Sequence, residues 1–124
     1  MPEMEELSGR VIGCALEVHR YLGPGLLEST YESCLTHELL HSGVAFKRQW
    51  ALPVEYKGVR LDCGHRIDFL VGDAIVLEVK SVEALNRVHE AQVLTYLKLS
   101  GMRIGLLMNF NVIRLKEGIR RFVL

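Results

Sequence analysis

Residues 66–82 read RIDFLVGDAIVLEVKSV, and no other stretch leaves the chain so few options. Two apolar runs flank Gly72-Asp73, a pair that favours a tight turn. Both runs are rich in Ile, Val, Leu and Phe, so the segment predicts a β-hairpin. Side chains alternate between the two faces of a strand. Ile75, Leu77 and Val79 then share one face, and Ala74, Val76, Glu78 and Lys80 share the other. In the preceding strand Ile67, Phe69 and Val71 lie together, opposite Arg66, Asp68 and Leu70. Each strand has one wholly apolar face and one that turns charged away from the turn. Charged side chains are almost never fully buried without partners, so these charges need an explanation.

Register decides whether they meet. A two-residue turn pairs Val71 with Ala74 and sets Asp68 against Leu77, on the wrong face from Glu78. A three-residue loop, 72–74, pairs Val71 with Ile75 and sets Asp68 opposite Glu78. Same-face residues pair on a half-buried sheet, so the sequence predicts an odd-length loop or a bulge. Opposed Cβ atoms lie roughly 4.5–5.5 Å apart. Two carboxylates that close need a shared proton or a bound cation. With Lys80 two residues on, the set suits a hard divalent cation such as Mg²⁺, which is held by one or two carboxylates plus waters and substrate phosphate. Lys80 would then hold a water or neutralise phosphate charge. The competing reading is a charge-balanced cluster of Arg66, Asp68, Glu78 and Lys80 at a sheet end.

The rest of the chain predicts helices over about residues 4–22 and 27–41, separated by the breaker Gly23-Pro24-Gly25. A strand follows over AFKRQWALPVEYKG, with Pro53 marking an edge or bulge and Lys57-Gly58 a hairpin turn. An amphipathic helix over NRVHEAQVLTYLKLSG ends at Gly101, RIGLLMNF is a short buried strand, and VIRLKEGIRRFVL is a strand pair or a strand and tail. Helices, antiparallel strands, a helix and another strand give an α/β or α+β layered fold. A length of 124 residues suits one domain.

Composition excludes several classes. Fifteen basic residues balance fifteen acidic ones, which argues against a dedicated nucleic-acid coat protein but not against an enzyme touching nucleic acid at one site. No apolar run reaches the roughly 18 residues of a membrane span, and the start MPEMEELSGR is too acidic and polar for a signal peptide. Cys14, Cys34 and Cys63 are scattered, with no CxxC pair. They predict free thiols in a cytoplasmic setting rather than a zinc or iron–sulfur site.

RIDFLVGDAIVLEVKS resembles the D-(x)n-ExK core of the PD-(D/E)XK nuclease superfamily. GLLESTY, with Gly25, Glu28 and Tyr31, is similar to the signature of the small GxxExxY proteins. VHRYLGPGLLESTYE, QVLTYLKLSG and LLMNFNV…LKEGIRR extend the likeness over nearly the whole chain. The resemblance implies one nuclease-like domain over residues 1–124, with a restriction-endonuclease-like core: a central mixed sheet flanked by helices. It implies a Mg²⁺- or Mn²⁺-dependent nuclease acting on nucleic acid, DNA ahead of RNA, with no membrane partner. Asp68 and Glu78, with the Val79 carbonyl, would ligate the metal, Glu28 would complete the site, and Lys80 would assist the attacking water. Gln92 and Tyr96 match a Q-x3-Y pattern of the RecB-like branch. The alternative is a catalytically silent module of the same fold that binds nucleic acid or a protein, or that forms a homodimer through an apolar sheet edge.

Each supporting residue also has an ordinary reading. Glu28 suits a helix N-terminus, Gly25 an uncommon turn backbone, and Tyr31 simple packing. Gln92 and Tyr96 are i, i+4 neighbours, so both can face the charged sheet end or merely flank a helix. His19 is a helix C-terminal cation, a hydrogen-bonded core histidine, or a neighbour of Glu28. Arg66 clamps phosphate or pairs with Asp68. Trp50 packs rather than stacks on bases. The basic patches KRQW and IRR track a nucleic-acid backbone or are plain surface, and His89 and Glu90 are solvated helix residues.

Overall fold

In the computed structural model, which describes residues 2–124, two helices come first: α1 (Pro2–Leu22) and α2 (Glu28–His41). α1 buries Val11, Cys14, Ala15 and Val18, and α2 buries Tyr31, Leu35 and Leu39. The α1 set recurs at three- and four-residue spacing and the α2 set at four, so each helix turns one stripe inward. Between them Gly25 has φ +96°, a left-handed backbone that side chains with a Cβ avoid.

The strands are β1 (Phe46–Ala51), β2 (Val54–Tyr56), β3 (Val59–Leu61), β4 (Arg66–Val71), β5 (Ile75–Lys80), β6 (Ile104–Asn109) and β7 (Ile119–Val123). A third helix, α3 (Arg87–Ser100), lies between β5 and β6. Five strands form one sheet in the order β1-β4-β5-β6-β7, and β2-β3 is a separate hairpin. β5 and β6 run parallel, with α3 as their crossover, and the other neighbours are antiparallel. α1 and α2 pack with Phe69, Val71, Ile75, Leu77, Val79, Leu106 and Met108. On the opposite face, Tyr96 and Leu97 of α3 pack with Leu52, Ile67 and Val76. This is the mixed, helix-flanked α/β sheet the sequence predicts, consistent with a restriction-endonuclease-like core. Among the described residues no helix is long and apolar enough to cross a membrane.

The hairpin has the predicted parity. Gly72 and Asp73 have φ +58° and +50°, and the Ala74 N–H donates to the Val71 carbonyl at 3.0 Å. Two consecutive left-handed residues match a primed hairpin turn. Pairing resumes at Val71↔Ile75, so Ala74 is the extra residue that makes the loop odd. α3 starts on a cap: the Asn86 side chain accepts from the Val88 and His89 N–H groups, and the His89 ring accepts from the Asn86 N–H. His89 is therefore a capping residue and not merely solvated.

Three details depart from the sequence reading. The first long strand splits at Leu52-Pro53 into β1 and β2, because Pro53 has no N–H for a ladder. The C-terminal segment is a short 3-10 turn (Leu115–Gly118) followed by β7, not two strands. Ile67 does not share a face with Phe69: it packs beside Val76 and Leu97 under α3, while Phe69 packs under α1 and α2. Strict alternation breaks at Asp68.

Candidate active site

The β4–β5 ladder pairs Val71↔Ile75, Leu70↔Val76 and Phe69↔Leu77, and stops there. Beyond that rung β4 stays with β1 to Arg66↔Ala51, and β5 stays with β6 to Lys80↔Asn109. The sheet therefore forks. Asp68 and Glu78 occupy the next rung, inside the fork. The Asp68 N–H donates to Glu78 Oε2 at 2.8 Å, and the Val79 N–H donates to Asp68 Oδ2 at 2.9 Å. Each carboxylate accepts a backbone N–H from the facing strand where the ladder has ended. This satisfies two amides that would otherwise be left unpaired near the core.

The electrostatics of this rung are only partly compensated. Glu78 is only 3% exposed. Burial first, and then the Asp68 charge, push its carboxyl up to about 8. Asp68 is also raised, by burial, although the Val79 N–H and the Gln49 amide oppose the shift. Lys80 lowers both, yet it forms no ion pair within the described residues. Desolvation and a like-charged neighbour are the two effects that raise a carboxyl, and both act here.

The N-terminus of α2 is tied to the end of β5. The Tyr31 hydroxyl donates to the Gly23 carbonyl at 2.6 Å and accepts from the Leu26 N–H at 3.1 Å. The Leu26 carbonyl accepts from the Ser81 hydroxyl at 2.6 Å, and Glu28 Oε2 accepts from the Ser81 N–H at 3.4 Å. Tyr31 itself is sealed in the core and stacks on Phe110, with ring centroids 4.6 Å apart. Gly25, Glu28 and Tyr31 thus form one latch that brings Glu28 to the residue after Lys80. Its charge reaches far enough to raise Asp68.

The remaining candidates divide. Tyr96 is buried on α3. Its hydroxyl is raised by burial and then by the charges of Glu78 and Asp68, and it lies 3.5 Å from His65 Nδ1. Gln92 is half-buried and makes no side-chain hydrogen bond within the described residues. Arg66 does not pair with Asp68: it is turned to Asp62, at 3.8 Å, and to the His65 carbonyl. His19 bonds the Val112 carbonyl at 2.8 Å rather than Glu28, pinning α1 to the loop after β6. Trp50 packs against the cluster under α3, as its size suggests.

Two residues that sequence reasoning passed over belong to the fork. Glu32 is buried on α2, and its carboxyl is raised by burial and by Asp68. It accepts from Arg48 at 3.3 Å and from Gln49 at 2.9 Å. The Gln49 amide also reaches Asp68 Oδ1 at 3.3 Å. Glu32 stands one helical turn after Glu28, and that spacing was the available signal. Gln49 gave none, because it lies in a short strand beside basic residues.

Among the described residues no three His, Cys, Asp or Glu side chains converge as a pre-built metal cluster. The donor set nevertheless fits a hard divalent cation. Asp68 and Glu78 offer only oxygen, face each other across one rung, and have raised carboxyls without a paired cation. Mg²⁺ is commonly held by one or two carboxylates, with waters completing its shell.

No curated protein and no solved structure matches the chain at significance. The family model described as the PD-(D/E)XK nuclease superfamily matches residues 5–122. That span takes in α2, the forked hairpin and α3, so the chain belongs to the PD-(D/E)XK nuclease superfamily.

Proposed function

We propose that the whole chain acts as one nuclease domain that hydrolyses nucleic-acid phosphodiesters with Mg²⁺ or Mn²⁺, DNA ahead of RNA. The observation that carries this is the fork: two opposed carboxylates, a buried Glu78 raised to about 8 and a half-buried Asp68, with no paired cation. Asp68, Glu78 and the Val79 carbonyl would hold the metal, with Glu28 beside them. A bound divalent cation would neutralise this charge and polarise a phosphodiester oxygen. Lys80, on the Glu78 face of β5, would orient a water for attack and offset charge on the phosphate. Tyr96 and Gln92 would steady Lys80 or the phosphate from α3. The latch through Tyr31 and Ser81 would keep Glu28 at the rim of the fork. The likeness to GxxExxY proteins, carried by Gly25, Glu28 and Tyr31, fits this reading.

The test is cleavage of single-stranded DNA, duplex DNA and RNA by purified protein with Mg²⁺ or Mn²⁺, beside the Lys80→Ala variant. We expect metal-dependent cleavage that Lys80→Ala abolishes. No cleavage of any of these substrates, with no metal binding by calorimetry, overturns the proposal.

One observation favours the silent module as a second reading. Asp68 and Glu78 already serve as backbone partners across the fork, a structural role that needs no metal. Nucleic-acid binding that is indifferent to divalent ions and to Lys80→Ala, without cleavage, would select it.

A further inference from the structure

Gln49 has φ +48° in the middle of β1, a left-handed backbone that a non-glycine residue rarely adopts in a strand. Its neighbours pair normally, Arg48↔Phe69 and Trp50↔Ile67, while the Gln49–Asp68 rung between them is missing. The faces switch at that rung. Arg48 turns toward Glu32 and the Phe69 ring, whereas Trp50 packs under α3. β4 switches at the same place, with Phe69 on one side and Ile67 on the other. The crossover leaves the Gln49 side chain between two acids, where Nε2 donates to Glu32 Oε1 at 2.9 Å and to Asp68 Oδ1 at 3.3 Å. An amide nitrogen carries two hydrogens, and two carboxylate acceptors account for both.

We infer that Gln49 is a positioning residue that holds the Asp68 carboxylate in its cation-binding orientation, braced from α2 by Glu32. Asp68 is then fixed at both oxygens: Oδ2 by the Val79 N–H and Oδ1 by the Gln49 amide. A neutral donor suits this place. It orients two carboxylates without competing for their charge, as a lysine or arginine would. Arg48 donates to the same Glu32 oxygen, Oε1, at 3.3 Å, so the brace is itself anchored. The inference rests on the metal-site reading for its consequence but not for its geometry.

The test is Gln49→Gly, which keeps the left-handed backbone accessible while deleting the amide, with Gln49→Asn as the conservative comparison because asparagine tolerates this backbone. Two readouts are needed in the full chain: amide hydrogen exchange at Val79 and Leu77 without metal, and Mg²⁺ binding by calorimetry. We expect Gln49→Gly to speed exchange at Val79 selectively and to weaken Mg²⁺ binding about ten-fold or more, the usual scale for losing a partner of a metal ligand. Gln49→Asn should lie nearer wild type in both. Val79 exchange that is unchanged, or that rises only in step with Leu77, overturns the inference, as does Mg²⁺ affinity equal to wild type. Wild-type protein that binds no Mg²⁺ instead overturns the metal-site reading, and the Val79 exchange still decides whether Gln49 positions Asp68.

Discussion

Asp68 and Glu78 each complete the other's strand: the backbone of Asp68 donates to the Glu78 carboxylate at 2.8 Å, while the Asp68 carboxylate accepts from Val79 at 2.9 Å. The same two groups that repel as anions are bound into the sheet as acceptors. The fold therefore stores an electrostatic cost at the rung where β4 and β5 part, and that cost can be measured.

It sets a pH dependence of stability. Glu78 is raised from 4.5 to about 8 in the folded protein. Between those values the folded state keeps a proton that the unfolded chain has released, so stability falls as pH rises through this window and levels off above it. At about 1.4 kcal/mol per unit, the ceiling is of the order of 5 kcal/mol. Glu78→Gln keeps an acceptor for the Asp68 N–H and removes the titration. We expect urea denaturation without metal to show that variant more stable than wild type at pH 8 and nearly equal at pH 5. A wild-type stability that is flat from pH 5 to 8 would contradict the raised Glu78 carboxyl.

Divalent ions should remove the same cost. A ligand that binds only the folded state stabilises it by about 2.7 kcal/mol at one hundred times its dissociation constant. Mg²⁺ or Mn²⁺ should raise the melting temperature of wild type, more at pH 8 than at pH 6, because the proton competes for Glu78. Asp68→Asn and Glu78→Gln should each blunt the shift. An equal shift in both variants would assign the binding elsewhere.

How much of this could be read from the chain depends on which physical rule governs each residue. The opposition of Asp68 and Glu78 follows from strand alternation and loop parity, both local properties of residues 66–80, and the structure reproduces the odd loop. The Gly25, Glu28 and Tyr31 latch was visible only as a motif, because its far partner, Ser81, lies 53 residues beyond Glu28. Unbroken alternation puts Ile67 on the face of Phe69, and the break at the Gln49–Asp68 rung turns it to the other. A left-handed glutamine held by two distant acids leaves no periodic trace, so Gln49 and Glu32 required the three-dimensional arrangement.

Lys80 separates chemistry from stability. It is half-buried and unpaired within the described residues, so its removal deletes no ion pair within 4 Å. Its charge lowers both Asp68 and Glu78. Lys80→Ala should therefore leave the fold intact and raise the pH at which the metal-free carboxyl pair titrates, while abolishing cleavage. Lys80→Met, which keeps the stem without the charge, should behave as Lys80→Ala does in cleavage. Appreciable activity in either variant would remove Lys80 from the reaction.

Tyr31 tests whether the latch serves the site or only the fold. Its hydroxyl is the partner of both the Gly23 carbonyl and the Leu26 N–H, and leaving a buried polar group unpaired costs about 1–3 kcal/mol. Tyr31→Phe preserves the stack on Phe110 and removes only these bonds, so we expect a stability loss on that scale. Leu26 also holds Ser81, and Ser81 meets Glu28, so the loss should extend to the rim of the fork. Cleavage measured well below the variant's melting temperature should fall with Tyr31→Phe and with Ser81→Ala, whose own effect on stability should be smaller because its hydroxyl is exposed. If Tyr31→Phe is destabilised but cleaves at the wild-type rate, the latch is a folding device and Glu28 holds its place without it.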